Sequence, residues 1–189
     1  MSGRDARLRW EEISRRKVAS TPVFDLSVAE RSSPDGRRGE FWLLDAPDWV
    51  NVVPVLSTPA GPAFLMVRQY RHGAAMITTE FPAGAVEQGE DPRRAAEREL
   101  REETGYRAGR LTLLGRVQPN PAFMGNWCST WLAEDLALEG DVHLDALEAL
   151  EAVTVPMHEV VARMGSGEYV NSLAVVALSF YQRHGASGT

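Results

Sequence analysis

The sequence predicts a mixed α/β layered domain. Three observations carry this. Two strand-like runs, the β-branched and mostly apolar 49–56 and the run 63–70, face each other across the turn Thr58-Pro-Ala-Gly-Pro62. One sharply punctuated helix runs between Asp91 and Gly105, and two amphipathic helical stretches close the chain at 157–164 and 171–184. Strands interspersed with helices bury their apolar faces as layers on a shared sheet.

The elements follow in order. Residues 1–45 read as an arm followed by strands. The stretches 16–26 and 41–45 are apolar-rich, and Ser32-Ser-Pro-Asp-Gly36 between them is a turn signal, so they predict a β-hairpin. The runs 49–56 and 63–70 predict a second, more buried hairpin. Asp91 suits a helix N-cap, Pro92 the first helical position and Gly105 the left-handed stop. Strands are expected at 111–117 and 127–136, split by a Pro119-Asn-Pro121 loop. The stretch 139–149 reads as an acidic loop or weak helix, and 151–156 as a strand. Gly165-Ser-Gly167 joins the last two helices. There is no internal repeat. The division expected is 1–45 as an N-terminal arm and hairpin, and 46–189 as the main domain.

Bulk properties narrow the function. A length of 189 residues buries a full core without disulfides, and 44% hydrophobic residues indicate a folded protein. A net charge of −6 argues against a nucleic-acid backbone as partner. It leaves room for a small phosphorylated ligand held by local arginines and a metal. Cys128 is the lone cysteine, read as a small buried apolar residue, and its solitude fits a reducing compartment. Met1-Ser-Gly-Arg-Asp-Ala-Arg7 has no apolar core of a secretory signal, and no run approaches the ~20 apolar residues of a membrane span. The expectation is a soluble cytoplasmic protein without nucleic-acid or membrane partners.

The most informative stretch is Gly84 to Tyr106. Glu99, Glu102 and Glu103 stand at helical offsets of zero, three and four, within roughly a third of the circumference. Like charges at this spacing destabilise a helix, and a cation between them removes the repulsion. Mg²⁺, a hard ion taking oxygen ligands, suits such a set. The competing reading is a solvated helix with Arg98 paired to Glu102 at i, i+4. It leaves Gly84 and Gly89 unexplained.

The spacing resembles the signature of the Nudix hydrolases. Gly84 is followed by five residues and Glu90. Seven more lead to Arg98-Glu99-Leu100-Arg101-Glu102-Glu103-Thr104-Gly105-Tyr106. All fixed positions agree, and Tyr106 stands where an aliphatic residue is usual. The resemblance implies a Nudix-type α/β/α sandwich with a mixed sheet. It implies a loop–helix–loop that holds Mg²⁺, or Mn²⁺, against a diphosphate. Glu99 and Glu103 would be the main metal ligands, Glu102 would share or orient them, and Glu90 would assist. The Ala83 carbonyl would be a further ligand, and Arg98 would fix the glutamates through salt bridges.

The flanks resemble the branch acting on ADP-ribose and other nucleoside diphosphate sugars: Glu80-Phe-Pro-Ala-Gly84, Val67-Arg68-Gln69-Tyr70-Arg71, and Pro121, sixteen residues after Gly105. That branch implies a homodimer built through the N-terminal strands. Arg71 and Arg68 would contact phosphate, although strand alternation puts them on opposite faces unless a bulge intervenes. Trp49 and Trp42 are candidates to stack on the base, His72 to line the pocket, and Asn120, Met124 and Asn126 beside Pro121 to meet the sugar. The general base implied is a glutamate in a later mobile loop, Glu148 first and Glu151 second. The activity implied is metal-dependent hydrolysis to a nucleoside monophosphate and a sugar phosphate. Two competitors stand beside it. One is hydrolysis of another diphosphate, such as a dinucleotide polyphosphate, a coenzyme or an oxidised nucleoside triphosphate. The other is a nucleotide-sugar-binding regulator without turnover.

Overall fold

A computed structural model describes residues 5–140, 142–144 and 149–186. It forms two compact units, Met1–Pro47 with Gln118–Trp127, and Asp48–Val117 with Cys128–Thr189.

The first unit is an antiparallel three-stranded sheet in the order β1 (Glu11–Ser20), β2 (Asp25–Ser32), β3 (Arg38–Asp45). The expected hairpin is β2–β3, closed at Ser33, whose amide and hydroxyl bond to Arg37 and Asp35. The stretch expected as one run at 16–26 is two strands. The Thr21 hydroxyl bonds the Phe24 carbonyl and amide, and so replaces ladder bonds with a local turn. Leu44 donates its amide to the Phe123 carbonyl at 2.9 Å, which ties the 118–127 segment to β3.

The second unit is a seven-stranded mixed sheet between helices. Its strands run β10 (Leu150–Pro156), β5 (Gly61–Arg71), β4 (Trp49–Thr58), β9 (Cys128–Leu138), β8 (Tyr106–Val117). Two short strands share edges with these: β6 (Met76–Glu80) on β5 and β7 (Ala83–Ala85) on β4. The pairing of β4 with β9 is parallel, Trp49 opposite Cys128, and the other pairings are antiparallel.

Alternation along β4 sets the layers. Val50 and Val52 pack with Ala95, Ala96 and Leu100 of α1 (Pro92–Thr104). Their neighbour Val53 joins Ala174, Ala177 and Leu178 of α3 (Ser172–Ala186) and Val160 of α2 (Met157–Arg163). Leu132 and Ala133 on β9 divide the same way. The sheet is thus sandwiched, as the sequence predicts.

Helix α1 starts and stops where expected. Asp91 accepts the Arg93 amide at 2.9 Å, Pro92 opens the helix, and Gly105 ends it at φ 75° with its amide on the Arg101 carbonyl. A side chain at Gly105 would also collide with the Gly140 carbonyl. Leu100 is fully buried and is the largest apolar contact of a helix otherwise seated on two alanines. We expect Leu100→Ala to cost about 2–5 kcal/mol in urea denaturation, because the surrounding strands cannot close the cavity.

Two features position the site. Strand β5 pairs with β4 up to Phe64 and with β6 from Val67, so β6 takes over the edge that β4 leaves. The segment Glu80 to Ala85 then crosses from that edge to β4, where β7 pairs and the Val52 amide bonds the Pro82 carbonyl at 2.8 Å. This crossing lays the backbone of residues 80–85 along α1.

Candidate active site

The site is built where the crossing segment meets α1. The Ala83 amide donates to Glu103 Oε2 at 3.0 Å, and Glu103 is buried. The carboxylate of Glu99 lies directly against the Cα of Gly84, in the volume a Cβ would fill. Glycine is required there for close approach. The backbone therefore forms a cradle for two carboxylates one helical turn apart.

Arg98 spans the remaining acids. Its guanidinium bonds Glu90 at 3.0 and 3.1 Å, Glu99 at 2.7 Å, Glu102 at 3.1 Å and the Ala85 carbonyl at 2.9 Å. The Glu90 bonds are the main cause of a raised Arg98 pKa; burial opposes them, and Glu99 and Glu102 add to the rise. Arg98 therefore stays charged wherever the protein is folded. Its bond in turn holds the Glu90 carboxyl below the usual range, against a smaller opposing effect of burial. In this structure the acidic face is quenched by an arginine. Among the described residues no three His, Cys, Asp or Glu side chains form a ready-made ligand set. The donor chemistry nonetheless fits a hard divalent ion: carboxylate oxygens concentrated beside a backbone that glycine leaves open.

The other expected residues fall as follows. Strand β5 carries no register shift, so Arg68 and Arg71 keep opposite faces. Arg68 reaches Glu151 and Glu168, each at 3.5 Å. Arg71 binds Glu80 bidentately, Nε to Oε1 at 3.0 Å and Nη2 to Oε2 at 2.7 Å. Arg71 lines a cleft of about 730 Å³ with Gln69, Tyr70, His72, Gly73, Ala74 and Ala149. His72 is exposed and meets the Tyr70 ring edge-on at 5.2 Å. Trp49 is half-buried at the start of β4, opposite Ala85 and Cys128. Glu151 is exposed on β10, and Glu148 lies outside the described residues. Pro121 and Asn126 belong to the first unit, as do Asn120, Met124 and the exposed Trp42. There Asn126 is buried and donates to the Pro47 carbonyl at 2.9 Å. Cys128 is buried and unpaired with another cysteine; burial, with a smaller effect of Asp48, pushes its thiol up to about 12, so it is a packing residue.

One residue of the flanking motif Glu80-Phe-Pro-Ala-Gly84 was given no role by the sequence reading. Glu80 is 2% exposed, and besides Arg71 it accepts from Thr78 Oγ1 and from Asn171 Nδ2 at 2.6 Å. Burial acts to raise its pKa, but the Arg71, Thr78 and Asn171 bonds outweigh it and hold the carboxyl low. Only tertiary structure unites these residues. The local signal was its place at the head of Glu80-Phe-Pro-Ala-Gly84, after a neutral Met-Ile-Thr-Thr run.

The chain is 31% identical to an ADP-ribose pyrophosphatase of Bacillus subtilis (strain 168), over 93% of this chain and 94% of the relative. It is 28% identical to a methanol dehydrogenase activator of Bacillus methanolicus, over 90% and 91%. The crystal structure of an ADP compounds hydrolase superposes with a TM-score of 0.81 at 23% identity, covering 93% of each chain, and so shares the fold. No described helix is long and apolar enough to cross a membrane. The NUDIX domain model matches residues 48–173, which include the cradle, Arg98, Glu90, Glu99, Glu102 and Glu103, and the chain belongs to that family.

Proposed function

We propose that this chain is a Nudix pyrophosphohydrolase that splits ADP-ribose or a nucleoside diphosphate sugar into a nucleoside monophosphate and a sugar phosphate. The observation that carries the reading is the seating of Glu99 on Gly84 and of Glu103 on the Ala83 amide, beside Arg98 and its three carboxylates. Family membership and the printed activity of the Bacillus subtilis relative support the diphosphate as the reacting group.

A divalent ion belongs to this reading, Mg²⁺ in the first place and Mn²⁺ as a substitute. Glu99, Glu103, Glu102, the Ala83 carbonyl and Glu90 would hold it. When bound it supplies a Lewis acid that neutralises phosphoryl charge and acidifies water. The chain's own groups supply the rest. Arg98 holds the glutamates in register. Arg71, and Arg68 from the other face of β5, contribute positive charge toward the diphosphate. Trp49 and His72 serve the base end. A water oxygen bonds to one phosphorus as the bridging P–O bond breaks and the departing phosphate keeps the electron pair. The water proton passes to a carboxylate, Glu148 or else Glu151. We assign residues 1–45 to homodimer formation and 46–189 to the hydrolase domain. The lone buried cysteine supports a cytoplasmic setting.

A substrate panel tests the reading. ADP-ribose and nucleoside diphosphate sugars are expected to give AMP or the matching monophosphate, seen by anion-exchange chromatography. Dinucleotide polyphosphates, coenzymes and oxidised nucleoside triphosphates are expected to react at least tenfold more slowly. Excess EDTA should stop turnover, and added Mg²⁺ or Mn²⁺ should restore it. Turnover that persists in EDTA would remove the ion from the reading.

A further inference from the structure

We propose that Glu80 is a positioning residue for Arg71: a buried carboxylate that fixes one edge of the guanidinium so that a pre-oriented cation meets the diphosphate. The inference rests on the diphosphate reading of the site.

Four observations converge. Glu80 is almost wholly buried, whereas the Arg71 side chain is 42% exposed and lines the 730 Å³ cleft. The pair therefore joins an immobile partner to one that solvent and ligand reach. Glu80 takes the Nε and Nη2 edge of Arg71 in a side-on, two-bond geometry, which fixes both the position and the plane of the guanidinium. Glu80 is itself over-determined. Thr78 holds it from its own strand, and Asn171 holds it from the start of α3. Asn171 in turn accepts the Leu173 amide at 2.8 Å, so the lock is anchored in a helix terminus. Finally, Glu80 lies three residues before Ala83 and four before Gly84. One short, hydrogen-bonded piece of backbone thus carries both the carboxylate that orients Arg71 and the cradle that seats Glu99 and Glu103.

Stability alone does not account for this arrangement. A buried ion pair is often replaced by packed apolar side chains without loss of stability, because desolvation cancels the Coulombic gain. The Glu80 carboxylate also offsets part of the Arg71 charge that would otherwise attract phosphate. What it contributes is orientation. An arginine already held in its bound plane loses less side-chain freedom when substrate arrives, and misplacement of about 1 Å in such a site costs on the order of 10² in rate. The arrangement also registers the arginine against the glutamates, so the two ends of the diphosphate site move as one.

The test is a double-mutant cycle on kcat/KM for ADP-ribose, with the melting temperature of each protein recorded. Glu80→Gln keeps volume and removes charge. It is expected to lower kcat/KM about 10–100-fold. Arg71→Ala is expected to lower it at least as much. The double variant should match Arg71→Ala alone, because Glu80 acts only through that side chain. A merely structural role gives the opposite result, a Glu80→Gln loss of the same size in both backgrounds, and that overturns the proposal. So does a Glu80→Gln protein at the parental rate. Should Glu80→Gln fail to fold, Asn171→Ala replaces it in the cycle, with a smaller loss that again vanishes beside Arg71→Ala. Calorimetric titration with inorganic pyrophosphate in Mg²⁺ separates this inference from the substrate reading. If the parent protein leaves ADP-ribose intact but binds pyrophosphate with the same non-additive pattern, the substrate reading falls and the positioning role stands. If the parent binds no pyrophosphate, both fall.

Discussion

Glu103→Gln is expected to abolish hydrolysis of ADP-ribose, with kcat reduced by at least about a hundredfold in Mg²⁺ and the fold retained. The reasoning runs from the seat of the side chain. Glu103 is buried on α1 and accepts the Ala83 amide at 3.0 Å. A glutamine of the same shape keeps an oxygen for that amide, so α1 and β7 stay in place. What disappears is one negative charge at the centre of the acidic face. Losing even a partner that merely orients a metal ligand typically costs 10–100-fold, so losing the ligand we propose Glu103 to be is expected to cost more. Glu102→Gln should act in the same direction. Initial rates by product chromatography, with circular dichroism as the control for folding, decide the matter. Parental rates from both variants would sink the assignment of this face.

Gly84→Ala is the second large effect, and its interest lies in what it leaves alone. The added methyl would occupy the volume of the Glu99 carboxylate. That group is the far end of a flexible side chain, so the methyl displaces the carboxylate and spares the backbone. Residue 84 pairs with Val50 through main-chain atoms that alanine also has. We expect the melting temperature to fall by no more than a few degrees, while kcat/KM falls by at least about a hundredfold. Isothermal titration should show Mg²⁺ affinity weakened to match. A Gly84→Ala protein that melts normally and turns over normally would mean that Glu99 has no need of its seat.

Most of the second unit was legible in the sequence, for identifiable reasons. Asp91, Pro92 and Gly105 punctuate α1 by local chemistry, and local chemistry survives folding. The hairpin of β4 and β5 was written in a β-branched run and a second strand-like run around a proline–glycine turn. The short strands β6 and β7 were not legible, because five and three residues carry no periodicity and their pairing is decided by distant partners. Strand β8 begins at Tyr106, well before the expected 111. Arg107 and Arg110 look like loop residues, yet they pair with Ala137 and Glu134 of β9, ahead of a register shift between Leu113 and Gly115. In the site, Glu90, Arg98, Glu99, Glu102 and Glu103 were picked out by their spacing, and the structure sets Glu90, Glu99 and Glu102 on Arg98 and Glu103 on the Ala83 amide. The Arg71–Glu80–Asn171 set, by contrast, joins β5, β6 and the start of α3, and nothing in one dimension links positions so far apart.

The parallel alignment of β4 with β9 has a consequence for when activity is born. Its partners stand roughly eighty residues apart in the chain, and α1, the cradle and β5 to β8 all lie within the span they close. Closing so long a loop is entropically costly, and contacts of this separation slow the search for the native state. A chain emerging from the ribosome displays the glutamate helix early, yet the parallel partner of β4 arrives only once residues 128–138 have been synthesised, and the edge strand β10 later still. Catalytic competence is therefore acquired late and all at once, and refolding monitored by turnover should lag behind refolding monitored by helix content.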